Sequence, residues 1–299
     1  MKFIRRFTKT KGQPYEGLRF RKRTSYLRGE GAWSPEAEVA VTVPENWSQV
    51  ATDTLTQKYF RQAGIPEIDR ETDARQVFHR MAGCWADWGL RSGYFDGQDD
   101  ADAFYDDACY MLAHQICAPN SPQWFNTGLY FAYGIKGQGP GFYHYNPQSQ
   151  QVERTDGPHV RPQPHACYIQ SVADDLVGSG GIMDLWHREA KLFKYGSGTG
   201  SNFSGLRSAQ ESLSTGAKSA GLLAFLKVGD GAAGAIKSAG TNRRPGKMVC
   251  LNIDHPDVVP FINWKVNEEQ KAAAMNTGLK ITQQRLSDIM AACHDHKEV

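Results

Sequence analysis

The sequence lacks the features that mark membrane, secreted and strongly charged proteins. No apolar run approaches the ~20 residues that a membrane span needs, and no signal-peptide core of about 7–15 apolar residues follows the charged start. The 34 Lys and Arg residues nearly balance 32 Asp and Glu residues, so net charge gives no reason to expect nucleic acid or membrane as a partner. We therefore expect a cytoplasmic protein with neither partner.

Cysteine is too sparse for a disulfide framework. Six cysteines are spread over 299 residues, so a disulfide here is more typical of catalysis than of structure. Cys84, Cys109, His114 and Cys117 could be read as a zinc cluster, but their spacing along helical segments fits core cysteines better. We predict no metal site from them.

Positive charge is concentrated in the first 29 residues. Glu16 is the one acid there, against ten basic residues: Lys2, Arg5, Arg6, Lys9, Lys11, Arg19, Arg21, Lys22, Arg23 and Arg28. A targeting peptide or an anion-binding arm would have this composition, but a solvated extension that orders late is the commoner case. We expect the solvated extension.

Two kinds of periodicity divide the chain near Ala118. Residues 1–118 carry apolar residues at helical spacing in three segments, which predicts a basic arm and a helical N-terminal domain. In residues 119–299 short apolar runs such as "ACYIQSV" and "KMVCLNI" alternate with helical patterns. This alternation predicts an α/β fold with "KMVCLNI" as a buried strand.

The segment "KYGSGTGSNFSGLRS", from Lys194 to Ser208, contains four glycines. It fails the dinucleotide fingerprint in both registers, and the Gly-Lys-Ser/Thr of a P-loop is absent from the chain. Its glycines also follow a predicted helix rather than a strand. The motif alone indicates a helix stop and turn, although its free N–H groups could still hold an anion.

Two polar features have plain structural explanations. The turn "AGTNRRPGK", with Arg243, Arg244 and Lys247, suits phosphate, and a solvated turn explains it nearly as well. His255 precedes a proline at a predicted strand end, so we expect it to be structural.

Four blocks in order resemble the large catalytic chain of ribonucleotide reductases. They are "NSPQWFNTG", "HACYIQS", "KYGSGTGSNFSGLRS" and "GAIKSAGTNRRPGKMVCLNIDHPDVVPFINWKVNEEQK". The N-terminal "VPENWSQVATDTLTQKYFRQAGIP" is similar to the adenosylcobalamin-dependent class II enzymes. The resemblance covers nearly the whole chain and implies the first half of that family's ten-stranded α/β barrel, truncated, after the helical domain.

The resemblance also implies site residues. Cys167 matches the first of two cysteines that reduce the ribonucleotide substrate, and Ser121, Ala166 and Gly198 match positions that line it. A side chain at Gly198 would occupy space that the bound nucleotide needs. Asp174 and Arg207 match positions that contact the allosteric nucleotide, ATP or a deoxynucleotide, at a homodimer interface. Asp175 adjoins Asp174 and could serve in its place.

The family's radical cysteine lies in an Asn-x-Cys-x-Glu context that this sequence lacks. The resemblance therefore implies an N-terminal portion, truncated or half of a split enzyme, that is inactive without its C-terminal remainder. It further implies adenosylcobalamin as cofactor and a thioredoxin-like or other thiol reductant. Two alternatives stay open: the large chain of a di-iron-dependent class I reductase, and a non-catalytic nucleotide-binding regulatory module.

Overall fold

The computed structural model describes residues 1–27, 37–236 and 245–295. Helices and strands are mixed, which confirms the predicted α/β class. The elements in chain order are β1 (Phe20–Leu27), β2 (Ala37–Pro44), α1 (Gln49–Lys58), α2 (Ala74–Arg91), α3 (Gln98–Ala113), α4 (Ser121–Asn126), α5 (Leu129–Tyr133), β3 (Tyr143–Asn146), β4 (Gln151–Arg154), β5 (Cys167–Gln170), α6 (Ile182–Lys194), β6 (Gly198–Asn202), α7 (Leu222–Ala235), β7 (Lys247–Cys250) and α8 (Val258–Asp295). Within these described ranges, no helix is long and apolar enough to cross a membrane.

The chain forms two compact units. Unit 1 consists of Met1–Ile169, His187–Thr199 and Ala232–Lys247, and unit 2 consists of Gln170–Trp186, Gly200–Gly231 and Met248–Val299. The boundary near Ala118 that the sequence indicates stays a prediction.

The three predicted N-terminal helices form in unit 1, and the sequence explains where they begin. The Ser48 side chain accepts a hydrogen bond from the Ala51 N–H and caps α1. Asp73 and Gln76 form a capping box at the start of α2. The apolar faces of these helices meet in one core that includes Leu55, Phe78, Leu112 and Trp124.

The basic N-terminus is not a solvated extension, so this expectation was wrong. It lies along α3, whose acids accept its donors. Arg5 pairs with Asp106, which is almost fully buried, and the Thr8 N–H and hydroxyl both donate to Asp107. The composition of the first 29 residues shows their positive charge but not the acids of α3, about 100 residues away, that order the arm.

Part of the same basic run forms a strand that the helical prediction missed. β1 pairs antiparallel with β2, with Phe20 opposite Pro44 and Leu27 opposite Ala37. Val41 and Val43 of β2 bring this hairpin into the unit 1 core. A second antiparallel pair, β3 with β4, follows further along the chain.

The predicted α/β alternation produces a three-stranded sheet in the order β5-β6-β7. The Thr199 N–H donates to the Gly246 carbonyl, and the Phe203 N–H donates to the Cys250 carbonyl. From the first bond to the second, the donor and the acceptor both move four residues toward the C-terminus, so β6 and β7 run parallel. This described sheet is open rather than closed into a barrel.

The structure changes two predictions for these strands. The glycine segment is a helix stop only up to Ser197, and Gly198–Asn202 form the central strand β6. Gly196 ends the helix with φ +86°, where an added Cβ would lie 2.5 Å from the Phe125 ring. β7, predicted to be buried, alternates between half-buried and exposed residues because it lies at the edge of the described sheet.

Unit 2 packs around one apolar cluster. Its buried members are Ile182, Leu185, Trp186, Phe203, Leu206, Leu222 and Leu226. Its last helix, α8, contributes half-buried Phe261 and Trp264 near its start. From residue 265 onward nearly every described side chain of α8 is exposed.

Candidate functional site

Three of the predicted substrate residues meet at the start of two neighbouring strands in unit 1. Cys167 begins β5 and carries an exposed free thiol. Gly198 begins β6, and its N–H donates to the Ala166 carbonyl at 2.6 Å. A Cβ atom on Gly198 would lie 3.4 Å from the Cys167 sulfur and 2.9 Å from the Gly246 carbonyl oxygen. The glycine therefore lets the thiol and the neighbouring strand approach closely.

Polar side chains fix the chain on either side of this contact. The Ser197 hydroxyl donates to the His165 carbonyl at 2.5 Å, and the buried Gln163 amide donates to the same hydroxyl. The Ser197–His165 hydrogen bond thus joins the chain one residue before Gly198 to the chain two residues before Cys167. The position of the Cys167 thiol is set by backbone geometry rather than by a flexible loop.

A buried carboxylate supports the same strands and was missed by sequence reasoning. Glu189 of α6 accepts a hydrogen bond from the Thr199 hydroxyl at 2.8 Å and lies 2.9 Å from the Lys247 ammonium. The Glu189 and Lys247 side chains are 3% and 9% exposed. Glu189 falls on the same buried stripe of α6 as Leu185 and Phe193. An acidic residue on the apolar face of a predicted helix is the sequence pattern that could have indicated a buried, paired carboxylate.

Ser121 lies in a different element from the other substrate candidates. It is the first residue of α4, and its hydroxyl is 3.4 Å from the Tyr59 hydroxyl. The Gln123 amide of the same helix donates to the Pro164 carbonyl, three residues before Cys167. In the described residues no hydrogen bond joins Ser121 itself to Ala166, Cys167 or Gly198.

The cysteines of the alternative zinc cluster have different environments. Cys84 and Cys109 are buried, as expected of core cysteines, and burial raises the pKa of each thiol to about 12. Cys117 is exposed, so its assignment to the core was wrong; it follows the end of α3 instead of lying within it. Over the ranges that the structure describes, no three His, Cys, Asp or Glu residues are grouped to hold a metal ion.

The two predicted effector residues form an ion pair in unit 2. Arg207 Nε lies 2.7 Å from Asp174 Oδ2, and both side chains are about one-third exposed. Asp175 instead accepts hydrogen bonds from the backbone N–H groups of Val177 and Gly178. Those N–H groups hold the pKa of Asp175 below its usual value. Between the two neighbouring acids, Asp174 is the one directed at Arg207.

A cavity of about 320 Å³ adjoins this pair, and its charge is mainly negative. Asp174, Glu211 and Asp254 line it beside the single cation Arg207. Arg207 is already paired with Asp174. A phosphate group can therefore bind in this cavity only if Arg207 separates from Asp174 or if another chain supplies a cation.

His255 borders the same cavity but is committed to its own loop. The buried ring lies with Nε2 2.8 Å from the Leu206 carbonyl, while Nδ1 accepts the Asp257 N–H. With one nitrogen donating and the other accepting, the ring is held in a single neutral tautomer. The structure confirms the expected structural role of His255. Arg243 and Arg244 lie outside the described residues.

Two family models match most of the chain. Residues 26–115 match the model described as "Class II vitamin B12-dependent ribonucleotide reductase", and residues 165–295 match "Ribonucleotide reductase, barrel domain". The first match includes the N-terminal segment that resembles class II enzymes, and the second includes Cys167, Gly198 and Arg207.

Curated relatives match across both regions. The vitamin B12-dependent ribonucleotide reductases of Bradyrhizobium diazoefficiens and Agrobacterium fabrum are each 51% identical over 330 residues, covering 98% of this chain. The one of Rhodopirellula baltica is 38% identical over 92% of this chain. This chain belongs to the class II ribonucleotide reductases. It spans 26% of the length of each of these three class II relatives.

Among solved structures, the α subunit of the Actinobacillus ureae class Id ribonucleotide reductase aligns with a TM-score of 0.43. The two share 17% identity, and the alignment covers 72% of this class II chain and 30% of that subunit. The class-specific N-terminal model and the vitamin B12-dependent relatives favour class II over the di-iron alternative.

Proposed function

We propose that this chain is part of an adenosylcobalamin-dependent reductase that converts ribonucleotides to 2′-deoxyribonucleotides in the cytoplasm. The observation that carries the proposal is the exposed free thiol of Cys167 beside the side-chain-free Gly198. Membership of the class II family supplies the reaction class. Ser121, Ala166 and Gly198 are the proposed substrate contacts.

In the proposed reaction, a cysteine thiyl radical removes the 3′ hydrogen atom of the ribose and later returns it. The 2′ hydroxyl leaves as water, while two thiols give two electrons and two protons and become a disulfide. Cys167 is one of these two thiols. A thioredoxin-like or other dithiol then restores the pair by exchange. The radical cysteine and the second reducing cysteine belong to the remainder of the reductase.

Adenosylcobalamin supplies the radical when it is bound. Among the described residues, His255, the histidine beside the unit 2 cavity, already uses both ring nitrogens and so offers no free nitrogen to the cofactor. No role of Cys167, Gly198 or Ser121 depends on a contact with the cofactor. Its contacts are assigned to the remainder of the enzyme.

Asp174 and Arg207 are the proposed contacts of an effector, ATP or a deoxynucleotide, in a homodimer. Their exposed ion pair supports this role because it can open at modest cost. The guanidinium then becomes free to bind phosphate oxygens in a fork geometry, and the freed carboxylate can accept hydrogen bonds from a sugar or base.

The test uses a chimera in which this chain replaces the matching segment of the Bradyrhizobium diazoefficiens relative. With adenosylcobalamin, a dithiol and no second radical-generating subunit, we expect the chimera to form deoxyribonucleotides. Cys167→Ser removes turnover but retains nucleotide binding, because serine preserves size while losing the redox chemistry. Cys250→Ser, at another exposed free cysteine of the same sheet, is the matched control and keeps turnover.

Two outcomes would contradict the proposal. If Cys167→Ser still turns over with the dithiol, Cys167 is not a reducing cysteine. If the chimera binds nucleotides but makes no deoxyribonucleotide with adenosylcobalamin present, a non-catalytic nucleotide-binding module becomes the better account of this chain.

A further inference from the structure

A cavity of about 670 Å³ lies within unit 1, and none of the proposed substrate residues lines it. Its walls come from the segments after α1, α5 and β4, from α4 and from the end of α6. The lining residues include Arg61, Asn126, Lys136, His159, Lys194 and Tyr195. This volume falls within the range of small-molecule binding pockets, about 300–1,000 Å³.

The cavity is positively charged. Arg61, Lys136 and Lys194 line it, and none of its described lining residues is acidic. Asp156 pairs with Lys136 from outside the lining. Within the described residues neither Arg61 nor Lys194 forms an ion pair. Arg61 donates its Nε–H to the Ala63 carbonyl, and Lys194 lies over the Tyr195 ring.

His159 is a half-buried residue of the same wall. Its Nδ1 is buried without a hydrogen-bond partner among the described residues. Burial, and then the positive charges of Arg61 and Arg80, lower the pKa of His159 to about 4. The ring is therefore neutral at pH 7 and lies in a positive field that an anion would relieve.

The backbone around these groups is fixed for close approach. The Asn126 amide donates to the Tyr195 carbonyl and holds the end of α6. Gly137 has φ +79°, and a Cβ there would lie 2.6 Å from the His159 ring. At Gly139, with φ +106°, a Cβ would lie 3.6 Å from Lys194 Nζ and 3.5 Å from the Tyr195 hydroxyl. A residue larger than glycine at position 137 would therefore clash with the His159 ring.

We propose that this cavity binds a phosphate-bearing anion of nucleoside di- or triphosphate size. Arg61 and Lys194 hold the phosphate groups, and the single N–H of the neutral His159 ring and the Tyr195 hydroxyl offer further hydrogen bonds. The proposal rests on the cavity and its charge. Its test is therefore independent of the proposed reductase activity.

The experiment titrates inorganic tripolyphosphate and, separately, ATP into the 299-residue chain at low ionic strength, with calorimetric detection. We expect Lys194→Gln and Arg61→Gln each to weaken binding by about tenfold, since each removes a charge-assisted hydrogen bond. Lys191→Gln is the matched control, because Lys191 is exposed on the same helix but does not line the cavity. Arg207→Gln tests for binding in unit 2.

A second readout is local to the cavity. We expect tripolyphosphate to raise the pKa of His159, which NMR can follow with the signal assigned by His159→Gln. Equal affinity for both probes identifies the phosphate chain as the ligand group, and tighter ATP binding adds the nucleoside. The proposal is overturned if Lys194→Gln and Arg61→Gln bind as the wild type does, if His159 does not respond, or if Arg207→Gln abolishes the response.

Discussion

The two units hold an arginine–carboxylate pair in opposite ways. In unit 1, Arg80 and Glu71 are both fully buried, and Arg80 also donates to the carbonyls of Trp124 and Thr127. In unit 2, Arg207 and Asp174 are about one-third exposed. A buried, fully bonded pair cannot open without leaving an uncompensated charge, whereas each member of a partly exposed pair can exchange the other for water. The first suits a scaffold and the second suits a site that rearranges.

The proposed functional residues follow the same contrast. Cys167 and Gly198 of unit 1 begin neighbouring strands joined by backbone hydrogen bonds. Asp174 and Arg207 of unit 2 lie outside strands and helices. A thiol that delivers electrons needs a fixed position, and an effector site needs side chains that respond to a ligand.

Removing the buried arginine gives the largest effect that we expect. Arg80→Ala leaves the Glu71 carboxylate buried without its charge partner, which costs about 3–5 kcal/mol in unfolding free energy. Urea unfolding measures this loss. A cost as small as that of Arg207→Ala would remove the contrast between the two pairs.

The second largest effect that we expect comes from adding a side chain at Gly198. Gly198→Val forces side-chain atoms against the Gly246 carbonyl and the Cys167 sulfur, with an expected cost of about 1–3 kcal/mol. It should also weaken ribonucleotide binding by the chimera. Gly231→Val, at an exposed position of α7 in unit 2, is the control, because a Cβ there meets no atom within 4 Å. Equal stability and affinity in the two variants would show that Gly198 needs no open space.

The arm on α3 makes unit 1 sensitive to acid. Although burial opposes ionisation, hydrogen bonds from the Thr8 hydroxyl and the Arg6, Thr8 and Phe7 N–H groups hold the pKa of Asp107 below its usual value. Because the folded pKa is lowered, its contribution is present above the unfolded pKa of about 3.9 and is lost as pH falls through the folded pKa.

Asp107→Asn tests this contact. We expect it to cost about 1–2 kcal/mol at pH 7 and to flatten the fall in stability below about pH 4. Unfolding curves from pH 7 to pH 3 measure both effects. Asp230→Asn, at an exposed acid of unit 2, is the control. Parallel pH profiles for the wild type and Asp107→Asn would contradict the assignment.

The smallest stability effect belongs to the exposed pair. Arg207→Ala should change the unfolding free energy by no more than about 1 kcal/mol. In the chimera it should reduce the stimulation of turnover by effector nucleotides, since the proposed phosphate contact is gone. An unaltered effector response would separate Arg207 from that site.

Local sequence patterns predicted the elements whose causes are local. Apolar periodicity located α1 and α2, and a short apolar run located β5. Four ordered motifs identified the family. The roles of Cys167, Gly198 and Ser121 stay predictions, although the structure brings the first two together.

The errors arise where a distant partner decides the conformation. The basic run became an ordered arm because α3 supplies carboxylates from about 100 residues away, and part of it became β1 because β2 pairs with it. The glycine segment became β6 because strands on both sides accept and donate its hydrogen bonds.

The sequence by itself determined the family and the helices of the N-terminal region, because each depends on residues near one another in the chain. Tertiary structure alone decided that Glu189 joins Thr199 to Lys247, that Asp174 rather than Asp175 meets Arg207, and that a cationic cavity surrounds His159. Each of these depends on the distance between atoms of separate elements, and only folding fixes that distance.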